Sequence, residues 1–364
     1  MMFNGIYRDK KVLITGHTGF KGSWLALWLS QLGAKVTGYS LQPPTEPNHF
    51  NLLNIDIKHV IGDVRNTDKL KQVFKEQKPE IIFHLAAQAI VRQSYLEPVE
   101  TFASNVMGTA SVLDAARSCK SVRAVVVITS DKCYENREWP WGYRENDSLG
   151  GYDPYSASKA CAEIVAGCWR NSFFNPNDYG NAHQTLLASA RAGNVIGGGD
   201  WATDRLLPDI MRAVNQNEKV KIRNPHATRP WQHVLEPLSG YLLLGQKLLE
   251  GRKEYTEAWN FGPSENENVS VGEIVRQIKE IWPRINYEIH QIPNQPHEAG
   301  MLKLDCSKAR TQLQWFPVWT GKETIVKTAE WYRIFYESGK VQSMIDLDSY
   351  IADAKRKKVI WIEE

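Results

Sequence analysis

Short runs of consecutive apolar residues alternate along the first half of the chain with stretches whose apolar positions recur every three or four residues. KVLIT (Lys11 to Thr15), KVTGYS (Lys35 to Ser40), the apolar part of PEIIFHLAAQ (Pro79 to Gln88) and VRAVVVIT (Val122 to Thr129) read as buried strands. Between them, Trp24, Leu25, Trp28 and Leu32 keep a helical period, and Pro98 to Ser118 and Pro154 to Trp169 form two further amphipathic helices. This alternation predicts an α/β protein whose sheet is parallel and covered by helices. After Asn171 the pattern loosens to FFNPNDYGNAH, and a strand within TLLASARAGNVIGGGDW (Thr185 to Trp201) leads through a glycine loop towards a second lobe.

The first strand runs into GHTGFKG, with Gly16, Gly19 and Gly22 ahead of the helical period. Strand, glycine turn and helix in that order make a dinucleotide site: glycines let a pyrophosphate approach the backbone, and the helix N-terminus presents free N–H groups. Gly16, Thr18, Gly19, Phe20 and Gly22 are the expected contacts. The fold predicted is a Rossmann-type doubly wound parallel sheet with a smaller, discontinuous C-terminal substrate-binding lobe. The second strand ends in Tyr39 and Ser40, where an acidic residue would select NAD over NADP, and leaves that choice open. Asp63, in HVIGDVRN, either accepts from an adenine amine or caps the helix beginning near Asn66. Asn105 either ties its helix to a strand or anchors a water near the site, and His84 reads as a packed histidine.

Composition narrows the function. The chain has 364 residues, 42% hydrophobic and 23% charged, enough for two lobes and a large core. A net charge of +3 gives no reason to expect nucleic acid or an anionic membrane as partner, while a pI near 8.4 suits a phosphorylated small ligand. Five cysteines (Cys119, Cys133, Cys161, Cys168, Cys306) form no CxxC pair, which predicts reduced thiols, no metal site and a cytoplasmic location. MMFNGIYRDKK carries no apolar signal core, and no later apolar run approaches the roughly 20 residues that span a bilayer. Trp139, Trp141, Trp201 and Trp231 read as core or rim packing rather than stacking platforms.

The chemistry gathers between Thr129 and Lys159. Ser130, Asp131 and Lys132 end the strand VRAVVVIT, and Tyr155 and Lys159, four residues apart, share one face of the following helix. Lowering a tyrosine from its ordinary value of about 10 to about 7 takes roughly 4 kcal/mol of differential stabilisation, which a neighbouring ammonium and an oxidised nicotinamide could share. Tyr155 is then the expected base for a carbinol proton, with Ser130 hydrogen-bonded to the same oxygen.

TGHTGFKG, HLAAQ, NVMGT, the ITSDK strand end and YSASK resemble, in order and spacing, the extended short-chain dehydrogenase/reductase family, and the likeness covers essentially the whole chain. The runs SDKCYENREWPWGYREND, RAGNVIGGGDW and RPWQHVLEPLSGY are most similar to its nucleotide-sugar 4,6-dehydratase branch. That resemblance implies NAD as resident cofactor, CDP-glucose as substrate, and a place in dideoxysugar formation for bacterial surface polysaccharides. It implies an internal redox cycle: C4 is oxidised, water leaves across C5 and C6, and the hydride returns to C6. Related dTDP-glucose enzymes use a Thr-Asp-Glu triplet for the elimination, where this chain has Ser130, Asp131 and Lys132. Asp131 is then the acid for the C6 hydroxyl and must carry a proton when elimination begins. Lys132 is either the base for the C5 proton or a cation stabilising the enolate. The same likeness assigns Asn194 and Arg229 to the nucleotide phosphates, and Asn260, His297 and Glu298 to ribose or phosphate. It places the dinucleotide domain at 1–190 with about 232–260, and the nucleotide-sugar domain at 191–231 and 261–364. A homodimer or homotetramer built on helices Pro98 to Ser118 and Pro154 to Trp169 is also implied. A nucleotide-sugar epimerase, which has no use for Asp131 and Lys132, and a non-catalytic sensor are the alternative readings.

Overall fold

A computed structural model describes residues 1–222, 224–264, 268–289 and 301–362. Its centre is a parallel sheet of seven strands. Six are β1 (Lys11–Thr15), β2 (Lys35–Ser40), β3 (Lys58–Ile61), β4 (Ile81–His84), β5 (Ala124–Ile128) and β6 (Leu186–Ala192), and the seventh is the edge strand Ala258–Phe261. The order is β3-β2-β1-β4-β5-β6 and then the edge strand. Every residue of β4, β5 and β6 is buried, as continuous apolar runs in a sheet covered on both faces must be. The chain leaves β1 to one side and β4 to the other, so a crevice opens at their carboxyl ends, where such sheets bind ligands.

The predicted helix Pro98 to Ser118 is interrupted. Helices Pro98–Phe102 and Gly108–Arg117 flank a π turn at Ala103–Met107, which holds the buried Asn105. Its Oδ1 accepts from the Gln88 N–H (2.8 Å), and its Nδ2 donates to the Gln88 carbonyl (3.0 Å) and to Ser158 Oγ (2.8 Å). One buried amide thus ties this turn to the segment that follows β4 and to the helix Pro154–Ser172. His84 is packed as expected, between Thr15 Oγ1 (2.7 Å) and Thr109 Oγ1 (3.1 Å).

The second lobe has its own core of Trp201, Ile210, Met211, Ile274, Ile278 and Trp331. Trp315, Trp319, Tyr350 and Trp361 join Val12, Ile14 and Trp28 in the core beside the sheet, while Ile325, Trp331 and Tyr332 of the intervening helix Gly321–Ser338 lie in the second lobe's core. Trp361 lies flat on Phe3 (centroids 5.1 Å apart) and edge-on to Trp28 (5.6 Å). These aromatics are scattered among polar residues with no period, and nothing local says which lobe they face.

Glu236, at 0% exposure on helix Leu235–Leu249, joins the tail to the sheet. It accepts from the Val318 N–H (2.9 Å), the Trp319 N–H (2.7 Å) and the Tyr350 hydroxyl (2.7 Å). Burial nevertheless raises its carboxyl from 4.5 to about 7. The fold therefore binds this proton more tightly than the unfolded chain does, and stability falls as pH rises from about 4.5 to about 7. Thermal midpoints recorded on either side of that window are expected to drop less for Glu236→Gln than for the wild type.

Candidate active site

The glycine turn closes tightly on itself. Gly16 sits at φ +78°, and a Cβ there would meet Ala86 N at 2.7 Å; one on Gly22 would meet Gly16 O at 2.1 Å. These two glycines serve the close approach of β1, β4 and helix Phe20–Gln31. Gly19 differs, since a Cβ there would find only Gly16 O at 3.4 Å. As the helix N-cap it also brings no capping side chain, which leaves an open face of backbone N–H groups suited to a dinucleotide pyrophosphate. Thr18 Oγ1 is taken up by Ser40 Oγ (2.7 Å) and the Leu41 carbonyl (3.1 Å), so it fixes the turn against β2. Phe20 packs against the first core. Asp63 is not a helix cap: Asn66 Oδ1 takes that role on Lys69 N–H (3.0 Å), and Arg65 engages the Asp63 carboxylate (Nη2 to Oδ2, 2.6 Å).

At the carboxyl end of β5 the chain enters a single 3₁₀ turn, Asp131–Cys133, and this turn presents the reactive side chains. Ser130 Oγ donates to Asp131 Oδ1 (2.9 Å), accepts from the Lys132 N–H (3.3 Å) and is hydrogen-bonded to Tyr155. Asp153 caps the tyrosine helix, accepting from Ser156 N–H (2.9 Å) and Oγ (2.6 Å), while Pro154 occupies its first turn. Ser130, Asp131, Lys132 and Tyr155 line one cavity of about 610 Å³. Asp131 is buried, with Oδ2 facing Gly193, where a Cβ would come within 3.2 Å. Lys132 is half-buried, and it has no ion pair among the described residues: Glu135 is held by Arg137 (3.0 Å) instead.

The expected depression of Tyr155 is not found in the chain by itself. Burial pushes its phenol up to about 12, the Ser130 hydrogen bond pulls the other way, and the Asp131 and Asp153 carboxylates add to the rise. Lys159 is itself buried, which lowers its ammonium to about 8 against the pull of Glu163, and its Nζ donates to the Ile128 carbonyl (3.3 Å). The lysine is thus tied to the sheet, and the phenol stays protonated.

Behind the reactive turn lies a buried ion pair absent from the predicted set. Arg191 on β6 donates to Glu163 Oε2 (2.8 Å), to Tyr134 Oη (2.7 Å) and to the Glu145 carbonyl (3.0 Å). Glu163 also accepts from Ser189 Oγ (2.7 Å) and Thr129 Oγ1. Glu163 and Arg191 side chains are 2% and 4% exposed, so removing one partner strands a charge. Glu163→Leu is expected to lose about 3–5 kcal/mol in urea unfolding, with much of it recovered when Arg191→Met is added.

The remaining candidates separate. Asn194 lines the cavity. Arg229 lies in the short strand Thr228–Pro230 beside it. Asn260 must be corrected. At 0% exposure, its amide is used up by Tyr134 Oη (2.8 Å) and the carbonyls of Tyr143 (2.9 Å) and Asp305 (3.0 Å), so it holds loops together and faces no ligand. His297 and Glu298 lie outside the described residues. Trp201 and Trp231 are buried as expected, and Trp141 is an exposed rim residue against Trp139. The cavity lining also holds cations absent from the predicted set, among them Lys21, which burial lowers to about 7, and Arg205, paired with Asp200 (2.9 Å). Lys21 was legible as the lone charge in GFKGSW; Arg205 precedes its helix with no local signal.

Residues 13–328 match the family described as GDP-mannose 4,6 dehydratase. The chain is 49% identical over 360 residues to the CDP-glucose 4,6-dehydratase of Salmonella typhimurium, covering 98% of this chain and all of that one. Among solved structures, the epimerase Mth375 of Methanothermobacter thermautotrophicus superposes with a TM-score of 0.79 at 25% identity, over 92% of this chain and 95% of that one. The dTDP-glucose 4,6-dehydratase of Bacillus anthracis, in complex with NAD, gives 0.71 at 21%, over 88% and 96%. The chain belongs to the GDP-mannose 4,6 dehydratase family, and with it to the extended short-chain dehydrogenases/reductases.

Proposed function

We propose that the protein is a hydro-lyase converting CDP-glucose to CDP-4-keto-6-deoxyglucose and water. The observation that carries this reading is the turn at 130–132, which adds Asp131 and Lys132 to a carbinol-oxidising Ser130 and Tyr155 in one cavity. An epimerase needs only the last two. The full-length likeness to a CDP-glucose enzyme supplies the substrate. The open face at Gly19 and the close-packed turn around Gly16 and Gly22 fit NAD, which, when bound, takes a hydride from a carbinol carbon and returns it to C6. Tyr155 and Ser130 hold the C4 oxygen, Asp131 meets the C6 hydroxyl, and Lys132 faces C5. Asn194 and Arg229 receive the nucleotide phosphates, and Asp63 the adenine. The five free thiols, two of them buried, accord with a cytosolic enzyme.

CDP-glucose carrying deuterium at C4 tests the reading. Deuterium at C6 of a keto product is expected; an epimerised sugar, or label lost to water, overturns it.

A self-association surface belongs to the same proposal. Val99 (76% exposed), Met107 (60%) and Ile164 (58%) lie on the two helical segments expected to meet their mates in an oligomer, and Leu96 (76%) ends the short helix Val91–Leu96 just ahead of the first. Val99→Glu with Leu96→Glu is expected to give a monomer in light scattering, where the wild type is a dimer or larger.

A further inference from the structure

The dehydratase reading leaves one proton unaccounted for, and the hydrogen bonds at the end of β5 supply its route. Oxidation at C4 releases the hydroxyl proton as the hydride departs. Elimination moves the C5 proton to a base, from which it returns to C5 once the hydride has reached C6. Departure of the C6 hydroxyl as water consumes one proton. Across a turnover, the group that receives the C4 proton therefore ends one proton richer, and the group that protonates the leaving hydroxyl ends one poorer.

We infer that these are one and the same proton, passed from the C4 hydroxyl through Tyr155 and Ser130 to Asp131, which then delivers it to the C6 oxygen. The direction is set by the bonds already present. Ser130 Oγ donates to Asp131 Oδ1 at 2.9 Å, so Asp131 stands as an acceptor, and Tyr155 is hydrogen-bonded to the same Ser130 oxygen. A proton entering at the tyrosine oxygen displaces the tyrosine proton onto Ser130 Oγ, whose own proton moves to Asp131. The C4 O–H and C4–H bonds break, the C4 carbonyl forms, the hydride goes to the oxidised nicotinamide, and Asp131 becomes a carboxylic acid. When the C6–O bond breaks, that acid gives up its proton, and water leaves with the carboxylate restored.

One observation fits this relay better than separate roles. Asp131 is buried and already receives a hydrogen bond, and the relay charges it only when its proton is about to be used. Ser130 becomes the link that lets the oxidation of C4 arm the elimination at C6.

The inference rests on the proposed function, and CDP-6-deoxyglucose tests the two apart, because it can be oxidised at C4 but has no C6 hydroxyl to lose. With NAD bound, near-ultraviolet absorbance reports nicotinamide reduction and an indicator dye reports protons entering solvent. The wild type is expected to reduce nicotinamide while releasing almost no proton. Ser130→Ala and Asp131→Asn are expected to reduce it about 10²-fold more slowly and to release about one proton per nicotinamide reduced, with Ser130→Thr restoring the wild-type pattern. A wild type that reduces nicotinamide and releases a proton each time overturns the relay and leaves the dehydratase reading standing. A wild type that reduces none overturns both, and Asp131→Asn oxidising at the wild-type rate confines Asp131 to elimination and also overturns the relay.

Discussion

Tyr155→Phe is expected to slow nicotinamide reduction by CDP-glucose about 10²- to 10⁴-fold, the range that a positioned proton-transfer group contributes. The substitution removes one oxygen and leaves the ring, which is 8% exposed at the start of a helix fixed by Asp153 and Pro154. Folding should be unaffected, and a thermal midpoint close to that of the wild type checks this. The loss should fall on the first half-reaction, because the C4 hydroxyl then has no route for its proton to Ser130. Rapid mixing followed by near-ultraviolet absorbance reads it directly. A variant that reduces nicotinamide at the wild-type rate would remove Tyr155 from the chemistry.

Lys132→Ala is expected to do the opposite: reduction within about threefold of wild type, then an accumulated 4-keto hexose with elimination slowed by about 10²- to 10⁴-fold. Lys132 is half-buried in the cavity wall and has no ion pair among the described residues, so its removal strands no buried charge. Lys132→Arg then decides which of its two roles it fills. Arginine keeps the cation but does not give up its proton, so recovery of elimination assigns Lys132 to stabilising the enolate, and no recovery assigns it to taking the C5 proton.

How far the sequence reached depended on how local each signal was. The glycine turn, the strand ends and the Tyr155–Lys159 pair are each written within a few residues; the expected sheet is found, and Ser130, Asp131, Lys132 and Tyr155 line one cavity. The partners of Asn105 in the π turn were not legible, because they are Gln88 and Ser158, distant in the chain. Asn260 read as a ligand contact from its place in a polar motif, yet the loops around Tyr143 and Asp305 consume its amide. The Glu163–Arg191 pair joins residues on two different elements, and neither sequence neighbourhood announces the other. Tyr155 shows the same limit in electrostatics. Its spacing from Lys159 predicted a cation acting on the phenol, but Lys159 Nζ is turned to the Ile128 carbonyl, and burial with two nearby carboxylates raises the phenol against the pull of Ser130 and Arg205.

The packing of Trp361 against Phe3 and Trp28 bears on how the protein is made. All seven strands of the sheet have been synthesised once Phe261 is added, but the outer wall of helix Phe20–Gln31 is contributed by Tyr350 and Trp361. On the ribosome, the first domain therefore holds its complete sheet with an aromatic flank still open to water until Tyr350 and Trp361 clear the exit tunnel. During that interval Trp28 and Phe3 are the apolar surface a chaperone would meet, and truncation ahead of Trp361 would make that transient exposure permanent.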